Sequence, residues 1–328
     1  MNKIKFIDLF CGIGGFRVAF EKVQCKCVFS SDIDKHARET YFNNFGEYPA
    51  GDITKIAAKD IPEHDILCAG FPCQAFSIGG YRKGFDDHRG TLFFEVVRIL
   101  KETTPCAFLL ENVAGIINHD KGNTIAVIEK HLKDLGYDFE YRLINALDMG
   151  IPQNRLRWYC VGFKKDLNVK FKDNNGLKRG VYFSFPKSKV LNYWIEDIVG
   201  KKQNGYKPTE RAQKNILNNL EIYKKQKTIL KNRYIIVNEI RPSKCNFRNN
   251  GTSPCLTAKM GTGGNNIPVI VEKNRKLTER ECLTLMGFPE KFYIKKENMQ
   301  TYKQIGNSVI VPVLEAIGRE MVRVLKRF

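Results

Sequence analysis

The chain of 328 residues is short of acid, has no apolar run of membrane-spanning length and pairs its cysteines in no recognisable spacing. Asp and Glu number 35 against 54 Lys and Arg, which leaves a formal net charge of +19. Such a shortage favours a polyanionic partner, nucleic acid first, through steering and counterion release. A Lys- and Asn-biased composition, visible in KNILNNLEIYKKQK, is the plainer source of the same excess. No uncharged stretch approaches the ~18 apolar residues that cross a bilayer. MNKIKFIDLF lacks the apolar core and small-residue cleavage site of a secretion signal, so no membrane partner and a cytoplasmic location are expected. Only Cys25 and Cys27 of the ten cysteines lie close together, and neither a C-x-x-C pair nor a His/Cys metal spacing occurs. Free thiols in a reducing compartment are expected, with no metal site and no disulfide framework. There is no internal repeat.

What is present is an alternation. IKFIDLF, CKCVFSSDI, HDILCAGF, CAFLLENV, YRLINALD and RWYCVGF have the apolar density of buried strands. Between them DKHARETYFNNF, TLFFEVVRILKE and NTIAVIEKHLKDLG carry apolar residues at helical spacing. The expected fold class is α/β, a parallel Rossmann-like sheet doubly wound by helices. From about residue 166 the pattern dissolves into Lys, Asn and Gly with isolated aromatics, which predicts a second, smaller, loop-rich domain. Regular spacing returns in SVIVPVLEAIGREMVRVLKRF, where Ile310, Val313, Leu314, Ile317, Met321 and Leu325 share a helical face that should fold back onto the first domain.

The first strand feeds DLFCGIGGF, with Gly12, Gly14 and Gly15 at the turn where a ligand must approach backbone in a doubly wound fold. The dinucleotide fingerprint is absent, because Arg17 occupies its third glycine position. Asp32 stands at the end of the second strand, where such folds place a carboxylate on ribose hydroxyls, and Asp52 follows in the next segment. A nucleoside ligand without a pyrophosphate cradle suits S-adenosylmethionine better than NAD; a tight turn with solvated carboxylates is the alternative.

Cys73 follows the strand DILCAGF on the side of the glycine turn, with Pro72 before it and Gly79, Gly80, Gly84, Arg82, Lys83, His88 and Arg89 beyond. A thiolate nucleophile wants partial exposure and nearby positive charge, although a single cysteine is more often a small core residue. The next strand ends in Glu111 and Asn112, an acid whose burial would let it donate a proton and an amide to hold it. QNRLRW adds Arg155 and Arg157, cations suited to a carbonyl oxygen or phosphates, or else a solvated basic turn.

FIDLFCGIGGF, GFPCQAFS, DDHRGTLFFE, ENV, QNRLR, RECLTLMGFP and YKQIGNSV occur in the order found in DNA (cytosine-5) methyltransferases of bacterial restriction-modification systems. The chain resembles that family over its first 165 or so and last 50 or so residues. The resemblance implies transfer of a methyl group from S-adenosylmethionine to carbon 5 of a cytosine flipped out of double-stranded DNA. It implies that Cys73 bonds carbon 6, Glu111 protonates ring nitrogen 3, Asn112 positions Glu111 and Arg157, with Arg155 beside it, binds the exocyclic oxygen. For the donor it implies Phe10 and Ile33 against adenine, Gly12, Ile13, Gly14 and Gly15 near the methionine part, Asp32 on the ribose and Asp52 on the adenine amine. Ile53, Phe71, Pro72, Leu92, Asn307 and Ser308 would line the same site.

The loop from about Ala75 to Gly90 would close over DNA, bringing Gln74, Ser77, Arg82, Lys83 and Arg89 to it. Gly79 stands where a member of the family has a serine that enters the vacated duplex space, and Ile33 where it has a tryptophan. The implied division is a catalytic domain over 1–189, a target-recognition domain over 190–277, a hinge over 278–304 and a returning helix over 305–328. Arg241, Lys244, Arg248, Asn249, Asn250 and Lys259 are the candidates for the DNA groove. A monomer and a companion endonuclease that forms no stable complex are also implied. An RNA cytosine methyltransferase would share these blocks, but the basic second domain favours duplex DNA. A nicotinamide-dependent dehydrogenase leaves Cys73 with Glu111 unexplained, and a zinc nucleobase deaminase lacks its H-x-E motif.

Overall fold

The computed structural model describes residues 3–72, 92–171, 180–200, 205–263, 266–296 and 298–328. Six strands form one sheet in the order β2-β1-β3-β4-β6-β5. They are β1 (Lys5–Leu9), β2 (Lys26–Ser31), β3 (Ile66–Gly70), β4 (Ala107–Val113), β5 (Tyr137–Asn145) and β6 (Leu156–Lys164). β1 pairs in parallel with β2 and β3, and β3 with β4. β6 runs antiparallel to both its neighbours, so the expected parallel sheet carries one reversed strand between β4 and β5.

The strands are apolar on both faces because both are covered. Along β1 and β3, Phe6, Ile66 and Cys68 face one core, while Ile7, Leu9, Leu67 and Ala69 face the other. α1 (Gly15–Lys22) supplies Phe16 and Phe20 to the first. α3 (Leu92–Thr103) and α4 (Asn123–Asp134) supply Phe93, Val96, Ile99, Ile128 and Leu132 to the second, and α2 (Lys35–Phe45) follows β2. Gly162 on β6 leaves room for a neighbour: a Cβ there would sit 2.2 Å from the Phe108 ring across the strand pair.

Two short strands, β7 (Lys170–Phe171) and β8 (Tyr182–Phe183), and a single turn, α5 (Ile195–Ile198), lead to the smaller unit. Its sheet is β9 (Ile236–Asn238), β10 (Asn246–Arg248), β11 (Val269–Ile270) and β12 (Arg275–Lys276), in the order β10-β9-β11-β12. Against it lies α6 (Glu210–Gln226), burying Ala212 and Ile216 on Val237, Ile240 and Val269. That helix was not among those expected in the loop-rich second domain. Its inward face includes Asn215, which weakens the apolar stripe.

The chain then returns through α7 (Glu279–Thr284), α8 (Met299–Asn307) and α9 (Val311–Leu325). The segment expected as a hinge, 278–304, begins on packed structure. Thr278 and Glu281 form a capping box, and Arg275 pairs with Glu281 at 2.7 Å with both side chains buried. α9 buries Val313, Leu314, Ile317 and Met321, each worth roughly 1.5–3 kcal/mol. Gly318 meets the Phe20 ring and Lys22 pairs with Glu315 at 3.6 Å, so α9 lies on α1 as expected.

Candidate active site

At the carboxyl end of β1 the backbone enters left-handed conformations at Phe10 (φ 56), Gly12 (φ 53) and Gly14 (φ 90). Phe10 alone of the three has a side chain to strain there, a feature concentrated at functional turns. The glycines serve different ends. A Cβ on Gly14 would lie 2.4 Å from Phe45, and one on Gly15 would lie 2.4 Å from Val309 and 3.3 Å from Ser308 Oγ. A Cβ on Gly12 would meet nothing within 4 Å, so its backbone faces open space. The YKQIGNSV block, from the far end of the chain, thus closes the back of the turn with Ser308 buried and Asn307 exposed.

Asp32, at the end of β2, folds over this opening. Its Oδ2 accepts the Gly12 N–H at 2.8 Å and its Oδ1 accepts the Asp34 N–H at 2.8 Å. Burial raises its pKa while those two amides lower it. Ala50 bridges Ser31, which brings Asp52 alongside; Asp52 accepts from Thr54 N and Oγ1, which hold its carboxyl below the usual range. Between them Ile33 is 74% exposed, an apolar side chain with one face on solvent. Phe10 and Leu92 are half-buried, and Ile13, Ile53 and Phe71 are buried. An open glycine, two carboxylates with free lone pairs and an exposed apolar side chain fit a ribose, a purine and a cationic amino-acid tail; the residues present therefore suit S-adenosylmethionine.

Beneath the turn lies a group that sequence reading missed. Asp8 is wholly buried, and neither oxygen has a well-formed hydrogen bond. Desolvation and the neighbouring Asp32 push its pKa well up, with only partial relief from the Arg17 amide and guanidinium.

On the other side of the same sheet end, Gly70 of β3 pairs with Glu111 of β4, and a Cβ on Gly70 would lie 3.5 Å from Glu111 Oε2. Glu111 is 8% exposed. Burial raises its pKa, and Arg157 and then Arg155 pull it back. Arg157 comes from β6, with Nε 3.4 Å from Glu111 Oε1, Nη1 donating to Leu156 O and Nη2 3.8 Å from Cys255 Sγ. Asn112 does not reach Glu111. Its Nδ2 donates to Phe71 O at 2.9 Å, which anchors the exit of β3 two residues before position 73.

Cys73, Gln74, Ser77, Arg82, Lys83 and Arg89 lie outside the described residues. Pro72, the last residue before them, is exposed.

Arg155 corrects the expectation of a substrate-facing cation. It is buried and donates from Nη1 to Leu256 O at 2.5 Å, from Nη2 to Ser308 O at 2.5 Å, and from both to Gly306 O. Gln153, also buried, donates to Leu285 O and accepts from Leu256 N. The two side chains pin the connection between β10 and β11 to the turn ahead of β6 and to the C-terminal helices. Asn249 is likewise internal: its Oδ1 accepts from Leu230 N and its Nδ2 donates to Arg233 O, so it has no amide end free for a base. Arg248 is tied to Thr252 Oγ1 and Ser253 O, whereas Arg241, Lys244, Asn250 and Lys259 are exposed. Among the described residues no group of three or more His, Cys, Asp or Glu is arranged to hold a metal ion, and no helix is long and apolar enough to cross a membrane.

A buried acid with a guanidinium and an open glycine turn flanked by carboxylates, both at the carboxyl ends of one doubly wound sheet, suit a methyltransferase that takes its methyl group from S-adenosylmethionine, and comparison agrees. The family model for C-5 cytosine-specific DNA methylases matches residues 4–323, and the chain belongs to that family. It is 41% identical to the Type II methyltransferase M.HhaI of Haemophilus parahaemolyticus, over 97% of this chain and 94% of that one. To M.DsaV of Dactylococcopsis salina it is 42% identical over 98% and 86%. In fold it is similar to a crystal structure of a Spodoptera frugiperda DNMT2 mutant, with TM-score 0.70 and 21% identity over 99% of this chain and all of that one. S. pombe Dnmt2 gives 0.68 and 23%, covering 99% of each.

Proposed function

We propose that the chain methylates carbon 5 of a cytosine turned out of duplex DNA, through a transient bond from Cys73 and with S-adenosylmethionine as donor. Carbon 5 is a poor nucleophile, so the ring must be activated first. In the proposed sequence the Cys73 thiolate bonds carbon 6 while Glu111 gives its proton to ring nitrogen 3, which places an electron pair on carbon 5. Arg157 binds the exocyclic oxygen. When bound, S-adenosylmethionine supplies a methyl group made electrophilic by its sulfonium. Loss of the carbon 5 proton then expels the thiolate and restores the aromatic ring. Asp32 would hold the donor's ribose, Asp52 its adenine amine, with Phe10 and Ile33 on the adenine, Gly12 to Gly15 at the methionine part, and Leu92, Asn307 and Ser308 nearby.

The observation that carries this reading is the placement of Glu111: a buried acid one strand away from the end of β3, paired with Arg157. Asn112 acts on the neighbouring backbone of Phe71, fixing the approach to Cys73. The names of the relatives support a type II restriction-modification role, with a companion endonuclease and a monomeric methyltransferase. Residues 190–277 would then read the DNA sequence, through Arg241, Lys244 and Lys259 rather than Asn249. Bisulfite sequencing of plasmid DNA from cells expressing the chain tests the reading. Protected cytosines in one short sequence context are expected; fully converted DNA beside abundant folded protein refutes it.

A further inference from the structure

One side chain enters the site from the small sheet's side. Cys255 lies on the connection between β10 and β11, which is tied down to residues 152–154 just ahead of β6. Ser253 N donates to Pro152 O at 2.7 Å, Asn154 N to Ser253 O at 2.9 Å, and Leu256 N to Gln153 Oε1 at 3.1 Å. Position 255 is therefore fixed from both sides. The Cys255 sulfur is half-buried, 3.7 Å from Arg155 Nη1 and 3.8 Å from Arg157 Nη2.

The two guanidiniums are held very differently. Arg155 is locked by three backbone carbonyls. Among the described residues Arg157 has only the carbonyl of its own neighbour Leu156, a long 3.4 Å approach to Glu111 and the sulfur. A guanidinium at the end of a long stem loses its aim when so few contacts define it, and a planar fork acts only when both its edges are placed. We infer that Cys255 is a positioning residue for the reaction, its sulfur accepting from Arg157 Nη2 and keeping the guanidinium beside the Glu111 carboxyl. The inference rests on the reading of Glu111 as proton donor.

Removing the sulfur has a consequence that a loss of packing does not. With Arg157 free to swing out, Glu111 loses the charge that counters its burial. Its proton is then retained to higher pH, and the alkaline limb of the rate profile moves up with it. The same variant lowers the plateau rate by about tenfold to a hundredfold, the scale of a misplaced catalytic group.

The experiment measures single-turnover transfer of tritiated methyl from S-adenosylmethionine to unmethylated plasmid DNA of known sequence, across pH. It compares wild type, Cys255→Ala, Cys255→Val and Cys255→Ser, with thermal midpoints and donor affinity recorded for each. Alanine and valine should lose rate and shift the limb to higher pH with unchanged donor affinity, while serine, which keeps a short acceptor, restores the limb. A limb that stays put in both folded apolar variants overturns the inference whatever the rate; if alanine fails to fold, valine decides. Absence of methyl transfer by the wild type is a different failure, that of the underlying reading of the activity.

Discussion

Arg157 Nε stands 3.4 Å from Glu111 Oε1 where β4 ends beside the start of β6, with side-chain exposures of 13% and 10%. Burial raises the Glu111 pKa, and the Arg157 guanidinium counters part of that rise. The acid can therefore be protonated before the reaction and give its proton up during it. Glu111→Gln keeps the size and neutrality of that state but cannot donate. Its single-turnover rate should fall by about 10²- to 10⁴-fold with DNA and donor affinities unchanged. In the wild type the rate should fall as pH rises through the raised Glu111 pKa. A glutamine variant at full rate would assign the proton to another group.

Cys73→Ala should abolish methyl transfer yet bind the donor as the wild type does, because Gly12 and Asp32 follow other strands, β1 and β2. With duplex oligonucleotides carrying 5-fluorocytosine, the wild type should form an adduct that survives denaturing electrophoresis, since fluorine cannot leave as a proton does. Mass mapping should locate it at position 73. An alanine variant that still forms the adduct would reassign the nucleophile.

Local motifs at strand ends were the legible part of this molecule. Gly12, Asp32 and Glu111 could be placed because each sits at or just past the carboxyl end of a buried strand, where a doubly wound sheet gathers its ligands. Arg155 and Asn249 were placed in the right region with the wrong neighbours. Polar side chains in a basic turn look alike in sequence whether they face DNA or a backbone carbonyl, and only the three-dimensional return of residues 253–257 and 306–308 decides between them. Cys255 had no spacing partner to mark it, since both its arginines lie about 100 positions away. Asp8 was hidden inside an apolar strand for the same reason.

Arg155 joins the start of β6, the connection between β10 and β11 and the C-terminal helices through the carbonyls of Leu256, Gly306 and Ser308. Arg155→Ala leaves the Leu256 and Ser308 carbonyls exposed to a cavity. At about 1–3 kcal/mol for each unsatisfied group, a loss on the order of 3 kcal/mol is expected. For a chain of this size that lowers the thermal midpoint by about 4 °C. Arg157→Ala, whose side chain makes no comparable ties, should leave the midpoint within about 1 °C while removing activity. Calorimetry on the two variants separates strut from catalytic group.

The charge of +19 should be visible in DNA binding. If six or more phosphates are neutralised, raising salt from about 50 to 200 mM weakens affinity by ~10³-fold or more. Replacing exposed Arg241 or Lys244 by Ala should reduce the slope of log affinity against log salt by ~1 if the residue meets a phosphate. An unchanged slope at both positions would remove the hairpin between β9 and β10 from the interface.

Asp8 is a buried carboxyl whose folded-state pKa lies well above the ordinary 3.8. The folded protein therefore holds a proton that the unfolded chain releases first. As pH rises past about 4, each unit removes about 1.4 kcal/mol of stability through this group, until the folded-state value is reached. Asp8→Asn keeps the shape without the titration. In the absence of donor, the thermal midpoint of the variant minus that of the wild type should grow with pH from about 4 and then level off. A difference that is constant from pH 4 to pH 8 would mean that the Arg17 amide and guanidinium, which lie alongside, already compensate the ionised form.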